Sequence, residues 1–332
     1  MIRRAGKSFI KISGGKKKGN DEMAKDVLLE YVMKVSAVAG TQPASLAYLR
    51  KVLCVVPPKG EVTENKISTC TSRAEVEALT DAKCWALFNG GLSNIFVLPA
   101  SSLALSAVID AATEKFFTVI IDPSFNNTAI GSLDLGGFDG VVAWGSANQA
   151  EARAFTVQKN NVGFFDLSAN AGENLYFAFG KLLSAASWRN QQYIEMPKGS
   201  EIDTLGEAEL LFEDALSFVL TSEQYGNRLG LFASNQRAIV APYIYEEIRI
   251  RLQSAALNYI ALNQPNYTTA EAALLEDVLN SVIGEYVENG TIESGSVKVS
   301  TSAEQFILNA EIRVAEPKAL WRIKADMYQG SV

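Results

Sequence analysis

No histidine occurs anywhere in the 332 residues. That removes the commonest general base, the commonest zinc ligand and every Ser-His-Asp or Cys-His catalytic arrangement. Cysteine is almost as scarce. Cys54, Cys70 and Cys84 have spacings of 16 and 14, which fit no CxxC metal or redox pattern. Cys54, in the apolar "KVLCVV", and Cys84, beside Trp85 on an expected helix, read as small buried hydrophobes, and Cys70, in the polar "STCTS", as the exposed thiol. An odd count leaves room for an intermolecular disulfide, with core packing the favoured reading. No stretch approaches the ~18 consecutive apolar residues of a membrane span. The longest apolar run, near Phe116–Ile121, suits a buried strand. The N-terminal "MIRRAGKSFIKIS" lacks an apolar core and a small-residue cleavage site, so no secretory signal is read and synthesis in a cytoplasm is expected.

What is present is unevenly placed. The chain holds 30 Lys and Arg against 37 Asp and Glu, a net charge of −7. Seven of the basic residues and none of the acids fall in residues 1–20, so the rest carries 23 against 37, or −14. A basic arm on an acidic body suits nucleic acid, an anionic membrane or the acidic surface of another copy. For "GGKKKGN" a solvated loop is an equal reading.

From Lys51 to about Trp188, apolar runs alternate with helical patterns. "KVLCVV", "NIFVLP", "FFTVIIDP", "VVAW" and "VGFFD" are strands apolar throughout. Helices are expected across Ser72–Gly91, across "SSLALSAVIDAATEK", around 146–158 and over Glu173–Trp188. Apolar strands separated by helices predict an α/β core with a mostly parallel buried sheet. From Ser200 the texture changes. Thr204 with Glu207 forms a capping box before "AELLFEDALSFVL". A helix follows with Ile244, Ile248, Leu252, Ala255 and Tyr259 on one face. A second, capped by Thr268 and Glu271, carries Leu275, Val278, Leu279, Val282 and Tyr286 and ends at Asn289–Gly290. "GSVKVST" and "QFILNAEIRVA" alternate as strands, so an α+β C-terminal domain is expected with a sheet wet on one side. The expected division is an N-terminal arm over 1–20, an α/β domain over 21–200, an α+β domain over 201–316 and a C-terminal arm over 317–332.

Both arms have strand periodicity on tethers. In "KSFIKIS", Ile10 and Ile12 alternate with Lys7, Phe9 and Lys11; in "ALWRIKADM", Trp321, Ile323, Ala325 and Met327 alternate with Arg322, Lys324 and Asp326. The last strand has no later segment to pair with.

Motifs for chemistry are weak. "GSLDLGGFDG" leads into a strand and not a helix, so it is a turn and not a phosphate cradle. Asp122 and Asp166 end strands where open α/β sheets bind ligands, and Asp110 and Glu114 stand four apart on an expected helix. These carboxylates support an alternative reading as a doubly wound α/β enzyme or nucleotide binder. Tyr176, Phe177 and Phe179 read as one apolar helix face.

Four stretches carry a family resemblance: "AKCWALFNGGLSNIFVLPA", "FFTVIIDPS", "FGKLLSAASWRNQQYIEMP" and "SGSVKVSTSAEQFILNAEIRVAEPKALWRIKADM". Together the layout resembles the sheath protein of contractile phage tails and related injection machines, in its compact version without inserted outer domains. The resemblance implies a structural, non-enzymatic subunit that needs no cofactor. It implies a helical homo-polymer of stacked rings around an inner tail tube protein, with baseplate and tail terminator proteins as further partners. It implies no direct binding of nucleic acid or of a membrane. Contraction by rigid-body repacking of subunits would drive the tube through a host envelope for genome ejection, and the expected location is the virion tail. Inter-subunit strand exchange is carried over to Lys7, Phe9, Ile10 and Ile12 in one arm and to Leu320, Trp321, Ile323, Ala325 and Met327 in the other.

Overall fold

The computed structural model describes residues 46–315, other than 158–159, 167–170, 189–192, 200–201, 203, 235–236 and 302–307. A 3-10 turn, Leu46–Arg50, leads into β1 (Val52–Val56). Then come β2 (Ser68–Cys70), α1 (Arg73–Leu79), α2 (Ala86–Asn89), β3 (Ile95–Pro99), α3 (Ser106–Asp110), β4 (Thr118–Ile121), α4 (Asn127–Ile130) and β5 (Val141–Ser146). They are followed by α5 (Gln149–Thr156), β6 (Asn161–Phe165), α6 (Ala171–Ser184), α7 (Leu205–Glu213), β7 (Ser217–Ser222) and β8 (Gly226–Leu231). The last elements are the two-residue strands β9 (Ala233–Ser234) and β10 (Arg237–Ala238), the long helices α8 (Ala241–Asn263) and α9 (Thr269–Glu288), and strands β11 (Gly295–Thr301) and β12 (Leu308–Val314).

The apolar runs form the centre of an eight-stranded sheet, in the order β2-β3-β1-β4-β5-β6-β7-β8. The pairs from β3 through β7 are parallel, and only β2 and β8 join antiparallel at the two edges. Because successive strand side chains point to opposite faces, each strand feeds two cores. Val52, Cys54 and Val56 join Ile95, Val97, Ile120 and Phe164 on one face, with α6 above them. Leu53 and Val55 join Phe96, Val119, Ile121 and Trp144 on the other. Burial on both faces is why these strands read as continuous apolar runs. The sheet continues past residue 200, since β7 pairs with β6 in parallel and β8 returns beside β7.

Helix lengths depart from the sequence expectation at two places. The segment after Ser72 is two short helices, not one. Ser72 caps α1 as its spacing to Glu75 predicts, but Thr80 is extended; its hydroxyl donates to Pro57 O (2.7 Å) and accepts from Ala82 N–H (3.1 Å). Such side-chain bonds offer the backbone an alternative to the helix. The stretch after Ser101 is helical only over Ser106–Asp110, because Leu103 and Leu105 turn inward as buried anchors and their backbone bonds to Asp134. Asp110 and Glu114 therefore share no helix, and Glu114 pairs with Lys51. Cys70 corrects another expectation. As the inward residue at the end of β2 it is buried, and burial with Cys84 and Glu75 nearby pushes its thiol up to about 11. All three cysteines are buried, and none forms a disulfide among the described residues.

Where α2 crosses α6, Gly90 and Gly180 meet backbone to backbone. A Cβ on Gly180 would lie 2.6 Å from Leu87 O and 2.8 Å from Gly90 Cα, so neither position has space for a side chain. After the sheet, α8 and α9 form an antiparallel pair continuous with the core beneath α6. Thr268 caps α9 by accepting from Glu271 N–H, and Asn289 with Gly290 (φ +67°) ends it, as the sequence indicates. Leu275, Leu279 and Ile283 of α9 then support Val297, Val299 and Ile312 of the β11–β12 pair, each buried. Their burial contributes roughly 1.5–3 kcal/mol per side chain. The opposite face of that pair, with Lys298, Glu311 and Arg313, is exposed.

Candidate functional site

The carboxylates at the strand ends have structural partners. Asp122 follows β4 and is buried; it accepts from Tyr176 Oη (2.9 Å) and from the Ser124 N–H (3.0 Å) and hydroxyl. Asp166 follows β6 and is fully buried; it accepts from Asn174 Nδ2 (2.7 Å). Asn174 in turn accepts from Lys198 N–H (3.3 Å). Both carboxylates thus pin α6 to the sheet, and β5 lies between their strands. Buried charges need such partners to be tolerated at all. Tyr176 and Phe179 are buried on α6, whereas Phe177 is half-buried under the Lys181 ammonium, 5.2 Å from its ring centre. Among the described residues no group of three or more His, Cys, Asp or Glu is placed to hold a metal ion, and no helix is long and apolar enough to cross a membrane.

A polar and aromatic seam fastens α8 and α9 to the sheet. Tyr48 donates to Glu246, which Arg249 grips bidentately through Nε and Nη2 (2.8 and 2.7 Å). Arg50 donates to Leu183 O (2.9 Å) and Ala185 O beyond the end of α6, with its guanidinium 4.6 Å over Trp188. Trp188 stacks on Tyr243 (4.7 Å) and donates to Glu247 (2.6 Å), which also accepts from Tyr286 (2.9 Å). Sequence reasoning missed this seam, because its members are spread over more than 200 positions and no local pattern marks them.

The strand edges are the surfaces left to account for. An uncovered edge exposes a row of backbone donors and acceptors ready to pair with another chain. The β8 edge is covered by the chain at 193–196: Tyr193 N–H donates to Leu229 O (2.8 Å), Leu229 N–H to Ile194 O (3.0 Å) and Met196 N–H to Asn227 O (3.0 Å). At the other edge, β2 is three residues long. The β11 edge is covered by α9. The Asn280 side chain accepts from Val297 N–H (2.7 Å) and donates to Val297 O (2.8 Å), and Glu276 accepts from Val299 N–H (2.7 Å).

That pairing fixes the parity of the hairpin. If both backbone groups of Val297 turn outward, its opposite number Ile312 is a non-hydrogen-bonded partner whose groups also turn outward. The same holds for Leu308, Ala310 and Val314. No described residue pairs with these groups, so β12 carries the longest uncovered edge among the described residues. The two segments expected to exchange strands, with Lys7, Phe9, Ile10 and Ile12 in one and Leu320, Trp321, Ile323, Ala325 and Met327 in the other, lie outside the described residues.

Whole-chain comparison supplies the fold's relatives. A chain of the anti-feeding prophage baseplate, seen by cryo-EM with 6-fold symmetry, superposes with a TM-score of 0.63 at 12% identity, over 96% of this chain and 100% of that one. A chain of the anti-feeding prophage helical sheath in its contracted state gives 0.61 at 12% identity, over 90% and 100%. This chain shares its fold with that sheath chain. A chain of the contracted anti-feeding prophage baseplate also matches, at 0.56 and 12% identity, over 96% and 97%. No family model matches the sequence, and no curated protein is similar to it.

Proposed function

We propose that this chain is the structural subunit of a contractile sheath, polymerising helically around an inner tube in a phage tail or a related injection particle. The observation that carries the reading is the whole-length match to anti-feeding prophage sheath and baseplate chains, over 90% or more of this chain and all or nearly all of theirs. The uncovered β12 edge supports it, because a seven-residue edge on a dispersed subunit is an aggregation hazard that ordered polymerisation turns to use. In this reading residues 7–13 and 319–327 of neighbouring copies add strands to the β11–β12 sheet. Backbone hydrogen bonds supply the affinity and the alternating Trp321, Ile323, Ala325 and Met327 set the register. The basic residues of 1–20 are steered by the acidic body of the next copy.

Contraction then needs two subunit arrangements that differ in free energy, with many small interface differences adding along the polymer. The seam through Tyr48, Trp188, Tyr243 and Glu247 keeps each subunit rigid while the arms act as tethers. No catalytic residue or cofactor is required. The proposed partners are other copies, an inner tube protein, a baseplate and a tail terminator, and the proposed place is the particle's tail, where contraction drives the tube through a host envelope. Electron microscopy of the purified full chain, beside a chain lacking residues 1–18 and 317–332, tests this. Tubes or stacked rings from the full chain and dispersed particles from the shortened one are expected. Polymerisation of the shortened chain equal to that of the full chain would overturn the role of the arms, and a full chain that stays dispersed at high concentration would overturn the sheath reading.

A further inference from the structure

The β11–β12 sheet has two edges, and the fold treats them differently. On β11, Asn280 meets Val297 with the two-point geometry of a neighbouring strand, its amide both accepting (2.7 Å) and donating (2.8 Å). One turn earlier on the same helix, Glu276 takes the next outward amide, Val299 N–H. These bonds satisfy in advance three of the groups that an added strand would need, at the middle of the edge. An incoming strand would have to break them and leave Asn280 and Glu276 to find new partners, whereas beside β12 it meets groups that no described residue pairs with.

We propose that Asn280 and Glu276 form an edge plug that makes the sheet one-sided, so that residues 319–327 of a neighbouring copy enter beside β12 and not beside β11. The inference rests on the strand-addition reading above and adds its direction. It has a geometric consequence: two arms joining one such sheet stack in series on the β12 side, the first serving as the edge for the second. Lateral growth from a single side gives every subunit the same polarity, whereas an open β11 edge would allow a second, competing register of the arms.

Disulfide trapping in the assembled full chain separates the cases. Strands lie about 4.8 Å apart, so an arm beside β12 is about 10 Å from β11, and a disulfide needs Cα atoms within about 7 Å. Reporter cysteines are placed on the exposed face at Glu311→Cys in β12 or Lys298→Cys in β11. Each is combined in turn with Arg322→Cys, Lys324→Cys and Asp326→Cys in the arm. Disulfides with Glu311→Cys and none with Lys298→Cys are the expected result. Trapping at Lys298→Cys while Asn280 and Glu276 are present would overturn the plug and leave strand addition standing. Trapping at neither would overturn the entry of residues 319–327 beside this hairpin, and this inference with it. In a second variant, Asn280→Ala with Glu276→Ala, checked to retain a cooperative melt, the Lys298→Cys product is expected to rise by about tenfold. No rise in that folded variant would also overturn the plug. If the variant fails to fold, the trapping pattern of the plugged chain still decides.

Discussion

Single residues set local tolerances that the fold cannot relax. Gly180 faces Gly90 at the crossing of α2 and α6, where an added Cβ would sit 2.6 Å from Leu87 O. Backbone atoms on both sides cannot yield as a flexible side chain can. Gly180→Ala is therefore expected to destabilise the chain by about 1–3 kcal/mol, read as a lower midpoint in chemical denaturation with the slope unchanged. The seam depends on single groups as well. Arg50 joins carbonyls at the end of α6 to the Trp188 ring, and Arg50→Lys keeps the charge but loses the planar fork that serves both. Neither site is legible in the sequence. Gly180 lies inside "YFAFGKLL", an ordinary helical pattern, and its need for glycine comes from a segment 90 positions away. Asn280 was equally silent, a polar residue on an amphipathic helix with nothing to show that it faces a strand edge. Asp122 and Asp166 were legible as strand-end carboxylates, but only the fold shows that Tyr176, Ser124 and Asn174 occupy them.

At the scale of elements, legibility follows burial. The strands of the parallel sheet are apolar on both faces and announce themselves, and so do caps with a fixed spacing, such as Thr268 with Glu271. Helix extents were less legible, because Thr80 ends one helix and the anchors Leu103 and Leu105 delay the start of another through contacts with distant backbone. The α9 cap has consequences beyond its own helix, since α9 carries both the support and the plug of the β11–β12 sheet. Thr268→Ala is expected to cost about 1 kcal/mol of global stability. Hydrogen exchange should also quicken more at β11 and β12 than in the parallel sheet; equal changes in both would show that the hairpin does not depend on α9. Reporting on the hairpin is the more informative half of that experiment.

For the whole molecule, the missing histidines have a thermodynamic signature. No side chain in this composition has an ordinary pKa between about 5 and 8. At acid pH, Glu75 is held below the usual carboxylate range chiefly by Thr71 N–H, and Asp134 chiefly by Gly136 N–H with help from Ser106. Depressed carboxyls contribute stability that is present above their ordinary pKa and lost as the pH falls through the folded value. At alkaline pH, burial raises the hydroxyl pKa of Tyr48, Tyr243 and Tyr286. Their contribution is complete below the ordinary tyrosine value of about 10 and is lost as the pH rises beyond it. The melting temperature should therefore be level between about pH 6 and 8 and fall below about pH 4 and above about pH 10, as calorimetry across that range would show. The proposed polymer turns on the β12 edge, and one substitution addresses that edge alone. The Ala310 N–H points outward, away from β11, so Ala310→Pro removes a donor from the free edge while leaving the β11–β12 ladder its bonds. Electron microscopy with sedimentation of Ala310→Pro beside the unaltered full chain is the most direct measurement. A folded chain that no longer forms tubes or ring stacks is the predicted result; a folded Ala310→Pro chain that polymerises as readily as the unaltered one would contradict strand addition at β12.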